Sequence, residues 1–182
     1  LHPDIILARS DYPIKKNLIE KISLFCNILP EEIIPALTIK NIYEVPLNFQ
    51  KYFLVKIILK RLNLKNKIPE LNNWKKLIKK IKSKNEKILK IGLIGKYIEH
   101  GDAYISVKEA LKSAGYANNV KIKIESIAAE SLEQQNQKEW DKLKAMNGLV
   151  VPGGFGSRGI EGKIKAIKYA RENKIPYLGL CV

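Results

Sequence analysis

The spacing of apolar residues along this chain changes period several times, and each change predicts an element. Asp4-Ile-Ile-Leu-Ala8 is a short apolar run that reads as a buried strand, closed off by Pro13. Between Lys15 and Cys26, Leu18, Ile22 and Phe25 fall on one helical face, with Ile19 and Cys26 beside it. Pro30-Glu-Glu-Ile-Ile predicts a short helical turn, Pro at its start and acids at its positive end. Ile39 to Val45 reads as extended up to Pro46, and Leu47 to Leu64 as helical. Residues 63–87 then turn polar around one amphipathic helix, in which Trp74, Leu77, Ile78 and Ile81 are spaced i, i+3, i+4, i+7. That shift divides the chain into a first part over 1–62, a linker over 63–87 and a second part over 88–182.

The second part is more regular. Ile88 to Gly95 predicts a buried strand. Asp102 is placed to cap a helix with Val107, Ala110, Leu111 and Ala114 inside and Gly115 as its left-handed C-terminal residue. Val120 to Ile127 alternates Val120, Ile122 and Ile124 with Lys121, Lys123 and Glu125, as a strand does. A helix over Lys138 to Met146, a strand over Asn147 to Val151, a helix with Ile160, Ile164, Ile167 and Ala170 inward, and a strand over Ile175 to Leu180 complete the series. Strand and helix in alternation predict an α/β fold, a parallel sheet flanked by helices.

Composition narrows the class. With 46% apolar residues in 182, the chain can bury a core. No apolar run approaches the ~18 residues of a spanning helix, and Leu1-His2-Pro3-Asp4 lacks the basic and apolar regions of a secretory signal. The absence of an initial Met suggests a piece of something longer. Cys26 and Cys181 lie far apart and form no disulfide framework, so a reducing compartment, the cytoplasm, is expected. His2 and His100 share no ligand spacing with them, and no metal residue is assigned. The formal charge is +15, and residues 51–100 hold 15 Lys and Arg against 3 Asp and Glu. A basic module binding nucleic acid is therefore one alternative function. The excess is mostly Lys accompanied by Ile and Asn, with few aromatics, which favours a solvated face.

Two strand ends carry candidate chemistry. Val150-Val-Pro-Gly-Gly-Phe-Gly-Ser-Arg-Gly159 follows an apolar strand with three glycines in four positions, able to aim backbone N–H groups at one point. It lacks the Gly-Lys-Ser/Thr of a Walker phosphate loop. Cys181 follows Tyr177-Leu-Gly-Leu180 at the end of the next strand, where a strand-to-helix elbow would expose its thiol as a nucleophile. In a right-handed crossover the two ends are neighbours. A thiolate beside convergent N–H groups is the minimum apparatus for acyl transfer.

Val151-Pro-Gly-Gly-Phe-Gly-Ser-Arg-Gly-Ile-Glu-Gly-Lys-Ile, Tyr169-Ala-Arg-Glu and Ile175-Pro-Tyr-Leu-Gly-Leu-Cys181 resemble the glutaminase domain of the CTP synthase family. Ile91-Gly-Leu-Ile-Gly-Lys-Tyr-Ile-Glu99 with Asp102-Ala-Tyr104 is similar to the opening of that domain. Pro3-Asp-Ile-Ile, Arg9-Ser-Asp11, Lys21-Ile-Ser-Leu-Phe-Cys26 and Ile42-Tyr-Glu-Val-Pro46 resemble the end of the family's P-loop-like amidoligase domain. The resemblance implies a ligase of pyrimidine biosynthesis: ATP, with Mg2+, phosphorylates the uracil 4-oxygen of UTP, and ammonia from glutamine displaces the phosphate.

It further implies Cys181 as nucleophile, and Gly153, Gly154 and the amide of Val182 around glutamine and its oxyanion. The family usually has Leu at position 182. Arg158, Gly159 and Glu161 match a lid responding to the activator GTP. Arg9, Leu37, Thr38 and Ile39 match ATP-binding positions, though Asp is common where Thr38 stands, and Lys21 matches a UTP/CTP-binding one. The full-length family implies a homotetramer. The base His and orienting Glu of the family lie downstream of the nucleophile, its phosphate loop and magnesium carboxylates upstream of Leu1. The chain alone is therefore expected to be an inactive internal fragment. Another class I glutamine amidotransferase is the nearer alternative, since only Arg9 to Pro46 selects among synthetases.

Overall fold

The computed structural model describes residues 2–65, 67–83 and 87–181, so Val182 and the linker positions 84–86 lie outside the described residues. The chain divides into two compact units, Leu1–Lys82 and Ser83–Val182. No helix among the described residues is long and apolar enough to cross a membrane.

In the first unit, β1 (Ile6–Ser10) pairs in parallel with β2 (Ile33–Leu37), joined through α1 (Lys16–Cys26). The extended segment expected after residue 39 instead lies at Ile33–Leu37, and Ile42–Glu44 is a tight helical turn. Pro35 disguised this strand. Proline cannot donate to a ladder, and β2 tolerates it because it is paired on one side only among the described residues. The face of α1 is also rotated from expectation. Leu18 and Phe25 are 48% and 78% exposed, whereas Ile19, Ile22 and Cys26 are half-buried. The single helix read over 47–64 is two, α2 (Val45–Lys51) and α3 (Leu54–Arg61), broken at Phe53, whose φ is 55°. Helix α4 (Asn72–Lys82) lies within this unit. Its Ile78 is buried, Trp74 Nε1 donates to the Tyr43 carbonyl at 2.6 Å, and Lys82 pairs with Glu44 at 2.8 Å.

The second unit is a four-stranded parallel sheet in the order β4-β3-β5-β6. Its strands are β3 (Ile88–Gly95), β4 (Lys121–Ala128), β5 (Gly148–Val151) and β6 (Tyr177–Gly179). Connecting them are α5 (Ile105–Ala117), α6 (Ala129–Glu133), α7 (Gln137–Lys144) and α8 (Ile160–Glu172). Alternation along the central strands splits the core over two faces. Ile94, Leu149 and Val151 join Ile127, Leu132, Leu143 and Ala166 on one side, and Leu93, Val150 and Tyr104 meet on the other.

Helices α5 and α8 differ in detail from expectation. Asp102 does not cap α5 through its side chain, and Gly115 lies inside the helix rather than at a left-handed end; that conformation belongs to Asn119, φ 54°. Gly115 is buried against β4, where a Cβ would sit 2.6 Å from the Ile122 side chain. On α8 the buried stripe is Gly162, Ala166 and Ala170, while Ile160, Ile164 and Ile167 face outward. Small residues win that face because α6 lies so close: a Cβ on Gly162 would stand 1.8 Å from the Ala129 carbonyl oxygen.

Candidate active site

Parallel register brings the two loops together. Val151 of β5 is paired with Gly179 of β6, and the Leu180 amide donates to the Val151 carbonyl at 2.9 Å. Two residues further on each strand, Gly153 stands opposite Cys181. The approach is close enough to require glycine: a Cβ on Gly153 would lie 2.7 Å from the Cys181 Cβ and 3.0 Å from its Sγ. Cys181 itself is exposed and has φ 60°, a left-handed conformation that costs a non-glycine residue roughly 1–2 kcal/mol. A thiol turned out of a strand end in this way is the geometry of a nucleophile elbow.

Two lysines flank the glycine loop, and neither was assigned from the sequence. Lys96, only 7% exposed, follows β3 and donates its ammonium to the carbonyls of Phe155, at 2.7 Å, and Gly156. Lys163, on α8, donates to the Pro152 carbonyl at 2.9 Å. Burial and the neighbouring Lys96 ammonium hold Lys163 below the ordinary lysine value, and Cys181 draws it partly back. Lys96 is itself fixed at its backbone, where its amide and that of Tyr97 donate to the Tyr104 hydroxyl at 3.1 and 3.3 Å. Gly95 makes room for that ring, since a Cβ there would meet it at 2.6 Å. The Gly-Lys-Tyr after an apolar strand was the available signal. Its partner loop is some sixty residues away, so spacing alone could not join them.

Arg158 leaves the glycine loop in another direction. It pairs with Glu130 at 2.8 Å and lies 5.8 Å from the Tyr97 ring centroid. With Lys96, Tyr97, His100, Glu130 and Ser131 it lines a cavity of about 170 Å³. Gly159, φ 71°, precedes α8, and Glu161 is exposed in its first turn. Cys181 does not line this cavity.

In the first unit, Arg9 is exposed on β1, one residue before the pair Ser10–Leu37, and Thr38 and Ile39 continue from the end of β2. These four positions therefore share the carboxyl end of one strand pair. The Thr38 hydroxyl donates to Asp11 at 2.6 Å and its amide to Ser10 at 2.9 Å, so its side chain is engaged locally. Lys21 is exposed on α1, its ammonium 6.0 Å from the Phe25 ring centroid. No group of three His, Cys, Asp or Glu among the described residues is arranged to hold a metal.

Comparison with known proteins adds to this geometry. A family model described as glutamine amidotransferase class-I matches residues 100–182, and one described as CTP synthase N-terminus matches residues 1–64. The whole chain aligns with CTP synthases of Mycoplasma mycoides subsp. mycoides SC, 50% identical, and Carboxydothermus hydrogenoformans, 45% identical, covering 34% of each. A CTP synthase of Pyrococcus furiosus is 45% identical over 33% of its length. The chain thus spans about a third of the length of the curated relatives it matches. A solved Trypanosoma brucei CTPS glutaminase domain with bound acivicin matches 50% of this chain and 35% of that one at 40% identity, with a TM-score of 0.46.

Proposed function

Because this chain belongs to the CTP synthase family, we propose that it supplies the nucleophile side of a glutaminase site to a protein of its relatives' length that makes CTP from UTP. The carrying observation is the contact between Gly153 and Cys181 at adjacent strand ends. In this reading the Cys181 thiolate attacks the side-chain amide carbon of glutamine and an S–C bond forms. The negative charge that develops on oxygen is met by the Gly153 and Gly154 amides and by that of Val182. Collapse breaks the C–N bond and releases ammonia, leaving a thioester that water cleaves to glutamate. Ammonia then displaces phosphate from the 4-position of UTP activated by ATP. No base is assigned in this chain.

The remaining assignments are supported by placement. Arg9, Leu37, Thr38 and Ile39 share one strand-pair end, where parallel sheets bind ligands, and we assign them to ATP. With its hydroxyl given to Asp11, Thr38 would contact a nucleotide through backbone atoms. Lys21, exposed and cationic, is assigned to the UTP or CTP phosphates. Arg158, Gly159 and Glu161 form the proposed GTP-responsive lid beside the glutamine loop. In this scheme ATP acts with Mg2+, and the full-length protein is a homotetramer of the cytoplasm. The decisive experiment is Cys181→Ala in the full-length protein. Glutamine-dependent CTP formation should fall to background while formation from added ammonium salt persists. Retained glutamine-dependent synthesis would refute the nucleophile, and equal loss of both would point to a structural role.

A further inference from the structure

The carbonyls and amides of the glycine loop are partnered unequally. Over residues 152–156 the carbonyls of Pro152, Phe155 and Gly156 all accept from lysine ammonium groups. The amides of Gly153, Gly154, Phe155 and Gly156 donate no hydrogen bond among the described residues. The two lysines reach the loop from separate elements, Lys96 from the end of β3 and Lys163 from the first turns of α8. They converge at Gly154, where a Cβ would lie 3.5 Å from Lys163 Nζ and 3.5 Å from Lys96 Cδ. A peptide plane cannot turn its carbonyl one way without turning the following N–H the other. Fixing these acceptors therefore also fixes the amides that share their planes, those of Gly153, Gly156 and Ser157.

We propose that Lys96 and Lys163 form a two-point clamp on the glycine loop that orients the amides at its two ends, Gly153 and Gly156, as a preset anion-binding face beside Cys181. Both are positioning residues, acting through the loop rather than on the reacting atoms. A free Gly-Gly segment samples several backbone states, including one with a carbonyl turned toward the thiol. The Lys163 bond holds the Pro152 carbonyl, and with it the Gly153 amide, against that flip. Lys96 anchors the far end of the loop at Phe155 and Gly156, and being nearly fully buried it does not exchange those bonds for water. The inference rests on the oxyanion role given above to the glycine amides, but its test needs no glutamine.

Two electrophiles separate the clamp from thiol reactivity. p-Nitrophenyl acetate is attacked at its carbonyl: an S–C bond forms, negative charge collects on oxygen, and p-nitrophenolate leaves with the electrons of the C–O bond. Iodoacetamide reacts by displacement of iodide at a saturated carbon and forms no oxyanion. Both require the same thiolate, so their rate ratio isolates support of the oxyanion. The assay uses the 182-residue chain carrying Cys26→Ser, which leaves Cys181 as its one cysteine, with Cys181→Ala in the same background as the blank.

Lys163→Met and Lys96→Met should each lower the acylation-to-alkylation ratio about tenfold, a fraction of the effect of deleting a whole oxyanion donor. Lys163→Arg, which keeps a cationic donor, should restore most of it. A ratio unchanged in Lys163→Met overturns the clamp, whether both rates fall together or neither moves. Acylation no faster than the Cys181→Ala blank overturns it as well. Lys163 is half-buried on a helix, so this variant keeps the test decisive if Lys96→Met fails to fold. Failure of the glutaminase reading shows differently, as glutamine-dependent synthesis surviving Cys181→Ala.

Discussion

At Gly153, a single missing methyl group decides whether two loops can share a site. Its Cβ position lies 2.7 Å from the Cys181 Cβ, well inside contact distance, and the neighbour is the base of a side chain on a turn already at positive φ. Gly153→Ala should therefore displace Cys181 or the loop itself. Acylation of the thiol by p-nitrophenyl acetate should drop at least tenfold while the far-ultraviolet spectrum stays native; unchanged acylation would mean the contact is slack. Glu32 gives a residue-scale prediction of another kind. Burial raises its carboxyl, but the Leu29 amide at 3.1 Å and the Arg61 guanidinium at 2.8 Å outweigh it, and the group is held below its ordinary 4.5. A carboxylate favoured in the folded state stabilises above the unfolded value and loses that contribution as pH falls through the lower folded one. Glu32→Gln should be less stable than the parent near neutrality, with the gap closing below about pH 4.5 in denaturant titrations at several pH values. A gap independent of pH would assign the loss to packing.

Elements were readable from the sequence wherever a large apolar side chain marked the buried face. Strands β3, β4 and β5 fall within one residue of their expected positions, because Ile, Leu and Val mark their buried positions. The reading failed where small residues make the contact. On α8 the hydrophobic period pointed to Ile160, Ile164, Ile167 and Ala170; Ala170 is buried as expected, but its buried companions are Gly162 and Ala166, and Gly162 makes the close approach to α6. Periodicity ranks residues by greasiness, and close packing ranks them by size. Gly162→Ala follows directly: its Cβ would collide with backbone at 1.8 Å, with no flexible chain end to move aside. The substitution should cost at least about 2 kcal/mol, read as a lower denaturant midpoint at unchanged slope. The site was legible to the same extent. Cys181 and the glycine pair could be joined because adjacent parallel strands bring their ends together. Lys96 and Lys163 could not, since their meeting at Gly154 depends on side chains from two further elements.

For the molecule as a whole, the distribution of charge and core sets what each unit can do by itself. Part of the lysine excess lies on α4, whose Trp74 and Ile78 face inward while Lys75, Lys76, Lys79 and Lys80 are exposed, the pattern of a solvated helix face. Both hydrophobic clusters of the second unit are assembled wholly from residues between Ile91 and Leu180. Every residue positioning the glycine loop, from Gly95 and Tyr104 to Lys163, lies in that same interval. A unit of this size with a two-sided core has enough buried surface to fold alone. Residues 83–182 produced separately should therefore unfold cooperatively and show the same iodoacetamide rate at Cys181 as the full chain, within about twofold. Loss of the cooperative transition, or a thiol reacting at the rate of an unfolded peptide, would mean that the strand ends at Gly153 and Cys181 are held together by something outside those hundred residues.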